Sequence, residues 1–147
     1  MKKLFKNSAI VLVLISFFAV SCEKEKVAPA TAAAVAIPGF GFKTAYTLAG
    51  TNNQNTKAVE NGGSVSVTKE TFIRIEPVLP DVWKKCNGTW TITIEGPWTN
   101  DDYSAVKDLK TGVINFIPKK AGTFKINFTY KCPDGSSTSA TITIIVS

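Results

Sequence analysis

Cysteines are the side chains with the most chemistry to offer in this sequence, because histidine is missing altogether. The 147 residues contain three cysteines, Cys22, Cys86 and Cys132, and no histidine. Without histidine, the chain lacks the usual general base and the commonest metal ligand. The adjacent carboxylates Asp101 and Asp102 fall short of a calcium loop, which needs more oxygen ligands at regular spacing. The sequence therefore predicts a protein that is not an enzyme and that holds no metal or other cofactor.

The start of the chain has the three parts of a secretory signal. Lysines at positions 2, 3 and 6 precede an apolar run from Ile10 to Val20, and small residues follow it. As a helix, this run reaches only ~16 Å, about half of the ~30 Å core of a bilayer. We therefore expect a cleaved signal peptide over residues 1–21 rather than a transmembrane anchor.

The end of this signal resembles the lipobox of bacterial lipoproteins. Ala19-Val20-Ser21-Cys22 stands where those proteins carry Leu-Ala-Gly-Cys or a similar sequence. The resemblance implies that the chain is cut before Cys22 and that this cysteine is acylated. Several acyl chains anchor a protein stably where one anchors it marginally, so the implied partner of Cys22 is the membrane.

The charges behind Cys22 bear on where the protein resides. Glu23-Lys24-Glu25-Lys26 is similar to the start of Bacteroidetes-type lipoproteins, in which an acidic patch at this place often marks display on the cell surface. Because lysines alternate with the acids here, the surface and the periplasmic face both stay open, and we expect the outer membrane of the bacterial cell envelope. Loss of residues 1–21 lowers the net charge from +6 to +3 (14 basic minus 11 acidic residues). We see no basic stripe and expect no nucleic-acid partner.

Hydrophobic periodicity divides the remaining chain into a tether and a β domain. Residues 22–40 are expected to form the lipidated cysteine and a flexible Ala-rich tether, and residues 41–147 a single domain. Alternation with a period of two predicts strands at Thr89–Glu95, Thr123–Lys131 and Ala140–Ile144, and Gly50–Thr56 is expected to be a polar loop. Weaker candidate strands are Ala45–Leu48, Ser64–Thr68, Thr71–Glu76, Tyr103–Val106 and Gly112–Ile117.

Seven to eight short strands separated by turn residues indicate an all-β sandwich. The residues expected to face its core are Ile73, Ile75, Trp90, Ile92, Ile94, Ile114, Phe116, Phe124, Ile126, Phe128, Ala140, Ile142, Ile144 and Val146.

The C-terminal half resembles immunoglobulin-like modules of the polycystic-kidney-disease (PKD) or bacterial type. The stretch Gly112–Phe128 carries the resemblance, since a strand, the turn Pro118-Lys119-Lys120-Ala121-Gly122-Thr123 and an aromatic-led strand follow one another. The resemblance implies a single immunoglobulin-like antiparallel sandwich in which Trp90 is the core tryptophan of strand C. Such sandwiches serve many functions, so the likeness implies little about activity.

In this fold, strands C and F are antiparallel neighbours, which suggests a disulfide between Cys86 and Cys132. If these cysteines lie opposite each other, an extended register places Trp90 opposite Phe128, Ile92 opposite Ile126 and Ile94 opposite Phe124, all on one face. Export supplies an oxidising compartment. Two free thiols are the alternative, and a tight turn at Asn87-Gly88 would shift the register near Cys86.

Three aromatic side chains in or beside the predicted loops are candidates for ligand binding. Trp83 lies in a polar stretch after Pro80, and Trp98 and Tyr103 flank the acidic pair. Exposed aromatic rings beside polar groups can stack on sugars or peptides. The alternative is that Trp83 and Trp98 cap the open ends of the sandwich.

These observations favour a lipid-anchored, non-enzymatic module that binds or spaces a component of the cell envelope. One alternative is a glycan-binding accessory lipoprotein of a polysaccharide-uptake system, which requires the three aromatic side chains to be exposed and clustered. Another is an envelope-assembly or conjugation accessory component with a protein partner. That partner would be expected at a bare sheet edge such as the final strand, Ala140–Val146.

Overall fold

The computed structural model describes residues 39–47 and 54–147, which form an all-β sandwich. The predicted signal peptide, Cys22 and residues 22–38 of the tether lie outside the described residues. The elements in chain order are β1 (Gly41–Thr47), β2 (Gln54–Val59), β3 (Ser64–Val67), β4 (Phe72–Val78), α1 (Asp81–Lys84), β5 (Thr89–Glu95), β6 (Tyr103–Asp108), β7 (Val113–Pro118), β8 (Gly122–Lys131) and β9 (Ser137–Val146).

Two sheets make up the sandwich. The five-stranded sheet has the order β2-β1-β4-β7-β6, and the four-stranded sheet has the order β3-β9-β8-β5. Within them, β1-β4-β7-β6 and β9-β8-β5 follow the A-B-E-D and G-F-C orders of immunoglobulin constant-type sandwiches. The parallel pair β3–β9 and the edge strand β2 add to that plan. The predicted all-β, immunoglobulin-like fold class is confirmed, with nine strands in the described residues instead of seven to eight.

The predicted core is confirmed at nearly every position. Thirteen of the fourteen expected residues are buried, and Ile94 is partly buried against them. Phe40, which the predicted boundary left in the tether, is 1 % exposed and belongs to this core. Its ring lies 5.3 Å from that of Trp90 and 5.6 Å from that of Phe42. The hydrophobic core therefore begins before the first strand.

The predicted register between β5 and β8 is wrong by two residues. Trp90 pairs with Tyr130, Ile92 with Phe128 and Ile94 with Ile126. The chain between Cys86 and Thr89 is bent, since Asn87 adopts a left-handed conformation with φ of 47°. The predicted register treated these residues as extended. Because the shift is an even number of residues, every inward side chain remains on the inner face.

The final strand is not a bare edge, contrary to the expectation. β9 lies between β8 and β3, and upstream of β3 the Gly62 N–H donates to the Thr141 carbonyl at 2.7 Å. The outermost strands of the described sheets are β2, β6, β3 and β5. The expected polar loop also ends early, because residues 54–56 belong to β2. No helix in the described part of the chain is long and apolar enough to span a membrane.

Candidate functional site

A disulfide joins Cys86 and Cys132, with their Cα atoms 5.6 Å apart. Cys86 follows α1, and its backbone N–H donates to the Trp83 carbonyl at 3.4 Å. Cys132 directly follows β8. The bond therefore fastens the α1 connection to the end of β8, and we call this the disulfide end of the sandwich. The sequence-predicted pairing is present even though the register beside it differs.

Trp83 does not present an exposed ring. Its side chain is 4 % exposed and packs with the core, and its buried Nε1 has no hydrogen-bond partner among the described residues. The connection through α1 carries the chain from β4 to β5, that is, from one sheet to the other across the disulfide end. Trp83 thus caps this end, and its burial removes it as a stacking platform.

Trp98 caps the opposite end, where the chain crosses back from β5 to β6. Its ring stacks on Phe124 with centroids 4.1 Å apart and an interplanar angle of 21°. Gly96 and Gly122 lie so close to the indole that a Cβ at either position would overlap it. The ammonium of Lys120 lies 5.8 Å from the ring centroid. Trp98 is therefore partly buried and closes this end of the sandwich.

Tyr103 lies at the Trp98 end as well, half-buried against the same core ring. Its centroid is 6.0 Å from that of Phe124 and 5.5 Å from that of Phe116. The structure thus brings Trp98 and Tyr103 together, but it separates them from Trp83. Trp83 is next to Cys86, whose partner Cys132 lies eight residues beyond Phe124, roughly 25 Å along an extended strand. The three predicted ligand-binding side chains do not form one surface.

The acidic turn is held by hydrogen bonds of its own. The carboxylate of Asp102 accepts from the backbone N–H of Thr99 at 2.8 Å and from its hydroxyl at 3.0 Å, and Lys120 lies 3.4 Å away. These donors, the backbone of Thr99 first, lower the pKa of Asp102 below its ordinary value. Among the described residues, no group of three or more potential metal-ligating side chains is present.

A concavity lies elsewhere, on the outer face of the five-stranded sheet. It encloses about 380 Å³ over β4, β7 and β6, and we call it the outer-sheet concavity. Its lining is Arg74, Glu76, Pro77, Val106, Asp108, Thr111, Val113 and Asn115. Sequence reasoning missed it because most of these residues occupy the outward positions of three separate strands and a turn. One sequence signal could have pointed to it: in β4, the charged Arg74 and Glu76 alternate with apolar residues.

Polar groups converge in the outer-sheet concavity. Arg74 and Glu76 form an ion pair at 3.6 Å, with both side chains about half exposed. Asp108 accepts hydrogen bonds from the Thr111 hydroxyl at 2.7 Å and from the Lys110 backbone N–H at 2.9 Å. The hydroxyl of Thr111 is the main cause of a lowered pKa at Asp108. The buried Oδ1 of Asn115 has no hydrogen-bond partner among the described residues.

Comparison of the chain with protein-family models, with curated proteins and with solved structures finds no match.

Proposed function

We propose that this chain is a lipid-anchored, non-enzymatic module of the bacterial cell envelope. In this proposal, residues 1–21 direct export, Cys22 carries the lipid, and the β-sandwich is held on a tether at the outer membrane. The sandwich binds or spaces another component of the envelope. The sequence Ala19-Val20-Ser21-Cys22 and the apolar run before it support the first two steps.

The disulfide between Cys86 and Cys132 is the observation that carries this proposal. Disulfides persist in exported proteins and are rare in the reducing cytoplasm, so the bond supports a location beyond the inner membrane. It also uses two of the three cysteines of the chain. Cys22 is the third, and acylation gives that thiol a purpose that fits the preceding signal.

A binding or spacing role also agrees with the side chains that the domain offers. The sequence contains no histidine that could act as a general acid or base. The carboxylate of Glu95, another side chain able to do so, lies 3.0 Å from the ammonium of Lys125 in an exposed ion pair. The outer-sheet concavity combines polar groups and apolar walls, as binding sites commonly do. These features support recognition without covalent chemistry.

The proposal is tested by growing cells that express the full chain with an alkyne-tagged fatty acid. We expect the wild-type chain to take up the label and to fractionate with the outer membrane. Cys22→Ala should lose both, whereas the double variant Cys86→Ala/Cys132→Ala should still be labelled, which makes it the matched cysteine control. Labelling that survives Cys22→Ala, or an unlabelled wild-type chain in the cytoplasm, contradicts the proposal.

A further inference from the structure

The outer-sheet concavity is ordered by the register of three neighbouring strands. Asn115 on β7 lies opposite Arg74 on β4 and opposite Val106 on β6, so these three side chains form one row. In the next row, Val113 lies opposite Asp108, and the β4–β7 register continued by one residue places Glu76 beside Val113. The two rows span roughly 10 Å across the strands and 7 Å along them.

The centre of this surface holds a hydrogen-bond acceptor that has no donor. The Oδ1 atom of Asn115 is buried with no partner among the described residues. An acceptor taken out of water without a donor is costly, so a ligand that supplies an N–H or O–H group gains by pairing with it. By contrast, Asn127 on the outer face of the other sheet accepts from the Thr141 hydroxyl at 2.8 Å. The unsatisfied acceptor thus distinguishes the concavity from the matching position on the opposite face.

The rim of the concavity adds acceptors, one donor group and apolar patches. Glu76 and Asp108 present carboxylate oxygens at one side, and Arg74 supplies guanidinium N–H groups beside Glu76. Val106 is 68 % exposed, and Pro77 also lines the hollow. A suitable ligand is therefore compact, carries several hydroxyl groups and has C–H faces that pack on Val106. The two carboxylates at the rim would repel a negatively charged ligand.

From this arrangement we infer that the outer-sheet concavity binds a neutral saccharide. Hydroxyl groups of the sugar donate to the carboxylates of Glu76 and Asp108, and another hydroxyl accepts from Arg74. A rotation of the Asn115 side chain turns its buried Oδ1 toward the ligand, where it accepts from a further hydroxyl. The volume of about 380 Å³ suits a short saccharide segment. This inference rests on the proposed function, because it names the class of envelope component that the anchored module meets. It places the binding surface on a sheet face and not on Trp98 or Tyr103.

The test uses the full chain purified in detergent micelles on an array of neutral and acidic oligosaccharides, followed by calorimetric titration of each hit. We expect at least one neutral oligosaccharide to bind. Asn115→Val should weaken it at least tenfold, and Arg74→Gln should also weaken it. Asn127→Val is the matched control, since it makes the same change on the opposite face, and it should alter the affinity less than twofold. Urea unfolding of each variant reports whether its fold is intact.

Three results would overturn the inference: no neutral glycan binds at millimolar concentration, binding is equal in Asn115→Val and wild type, or only acidic sugars bind. If Asn115→Val does not fold, Arg74→Gln decides alone. Failure here is separable from failure of the anchoring proposal, because purified protein is used and fatty-acid labelling of Cys22 is measured independently. A labelled chain that binds no neutral glycan retains its anchor and loses this ligand class.

Discussion

Gly112 and Gly62 have almost the same left-handed backbone, with φ of 79° and 80°, but different surroundings. A Cβ on Gly112 would lie 2.5 Å from Cε2 of Trp90 and 2.8 Å from Cγ of Pro77, whereas a Cβ on Gly62 would meet nothing within 4 Å. The two positions therefore separate the cost of the backbone conformation from the cost of the overlap.

Replacing each glycine by alanine should reveal that difference. Gly62→Ala is expected to lower the free energy of unfolding by about 1–2 kcal/mol, the cost of a left-handed non-glycine residue. Gly112→Ala should lower it by a further ~1–3 kcal/mol, because Trp90 must move. Urea denaturation of both variants beside wild type measures the two values. Equal losses would mean that the tryptophan accommodates the methyl group freely.

Asp108 gives the turn between β6 and β7 a dependence on pH. Its pKa lies below the ordinary 3.8 because the Thr111 hydroxyl and the backbone N–H groups of Lys110 and Thr111 donate to its carboxylate. Since the pKa is lower in the folded state, the stabilisation is present above the unfolded value and is lost as pH falls through the folded one. We expect the unfolding temperature of the wild type to drop as the pH falls below about 4.

Asp108→Asn should reduce that drop, because an amide cannot titrate, and should also be less stable at pH 7. Asp101→Asn, in the exposed turn at the other end of β6, serves as the carboxylate control and should keep the wild-type acid profile. Thermal unfolding followed by circular dichroism over this pH range gives the comparison. Parallel curves for wild type and Asp108→Asn would assign the acid sensitivity to other carboxylates.

At the scale of elements, the disulfide and the bend beside it act on one connection. The bond encloses a sequence separation of 46 residues, for which the chain-entropy relation gives a stabilisation of about 4 kcal/mol. We expect Cys86→Ala/Cys132→Ala to lose about 2–4 kcal/mol in urea denaturation, and reduced wild-type protein to lose the same amount. A loss below ~1 kcal/mol would indicate that the Gly88 N–H, which donates to the Tyr130 hydroxyl at 2.7 Å, holds the connection alone.

The same connection marks the limit of what the sequence predicted. Alternation identified the strands around Trp90 and Phe128 and their inner faces, since a side-chain period of two is set locally. The two-residue register shift depends on the left-handed Asn87 and on Gly88 packing against Tyr130. These are contacts between distant parts of the chain. β2 escaped prediction because only Val59 among its residues is buried.

The candidate site was harder to predict than the fold, for a related reason. Trp83, Trp98 and Tyr103 are aromatic residues in or beside loops, which suggests ligand binding, but such rings close the ends of a sandwich equally well. The outer-sheet concavity draws on β4, β6 and β7, and only their register brings Arg74, Asn115 and Val106 into one row. A local pattern carries no information about such a row.

At the scale of the whole molecule, the core extends to the residue before the first strand. Phe40 is buried against Trp90, so Phe40→Ala should lower the free energy of unfolding by about 3–5 kcal/mol. Val82→Ala, which truncates a side chain that is 65 % exposed, should change it by less than about 0.5 kcal/mol. Urea denaturation distinguishes the two. A small loss for Phe40→Ala would mean that Phe40 contributes little to the core and that the predicted boundary of the tether was right.

Because β1 pairs with β2 on one side and β4 on the other, the point where the chain enters the sandwich has a mechanical consequence. A pull on Gly39 acts along β1 and loads both hydrogen-bond ladders in shear, so many bonds must yield at once instead of opening one after another. The outer-sheet concavity includes β4, one of the two strands that take this load. Tension between a membrane anchor and a captured ligand would thus pass through β1 and β4, each paired with a strand on both sides, and bypass the disulfide.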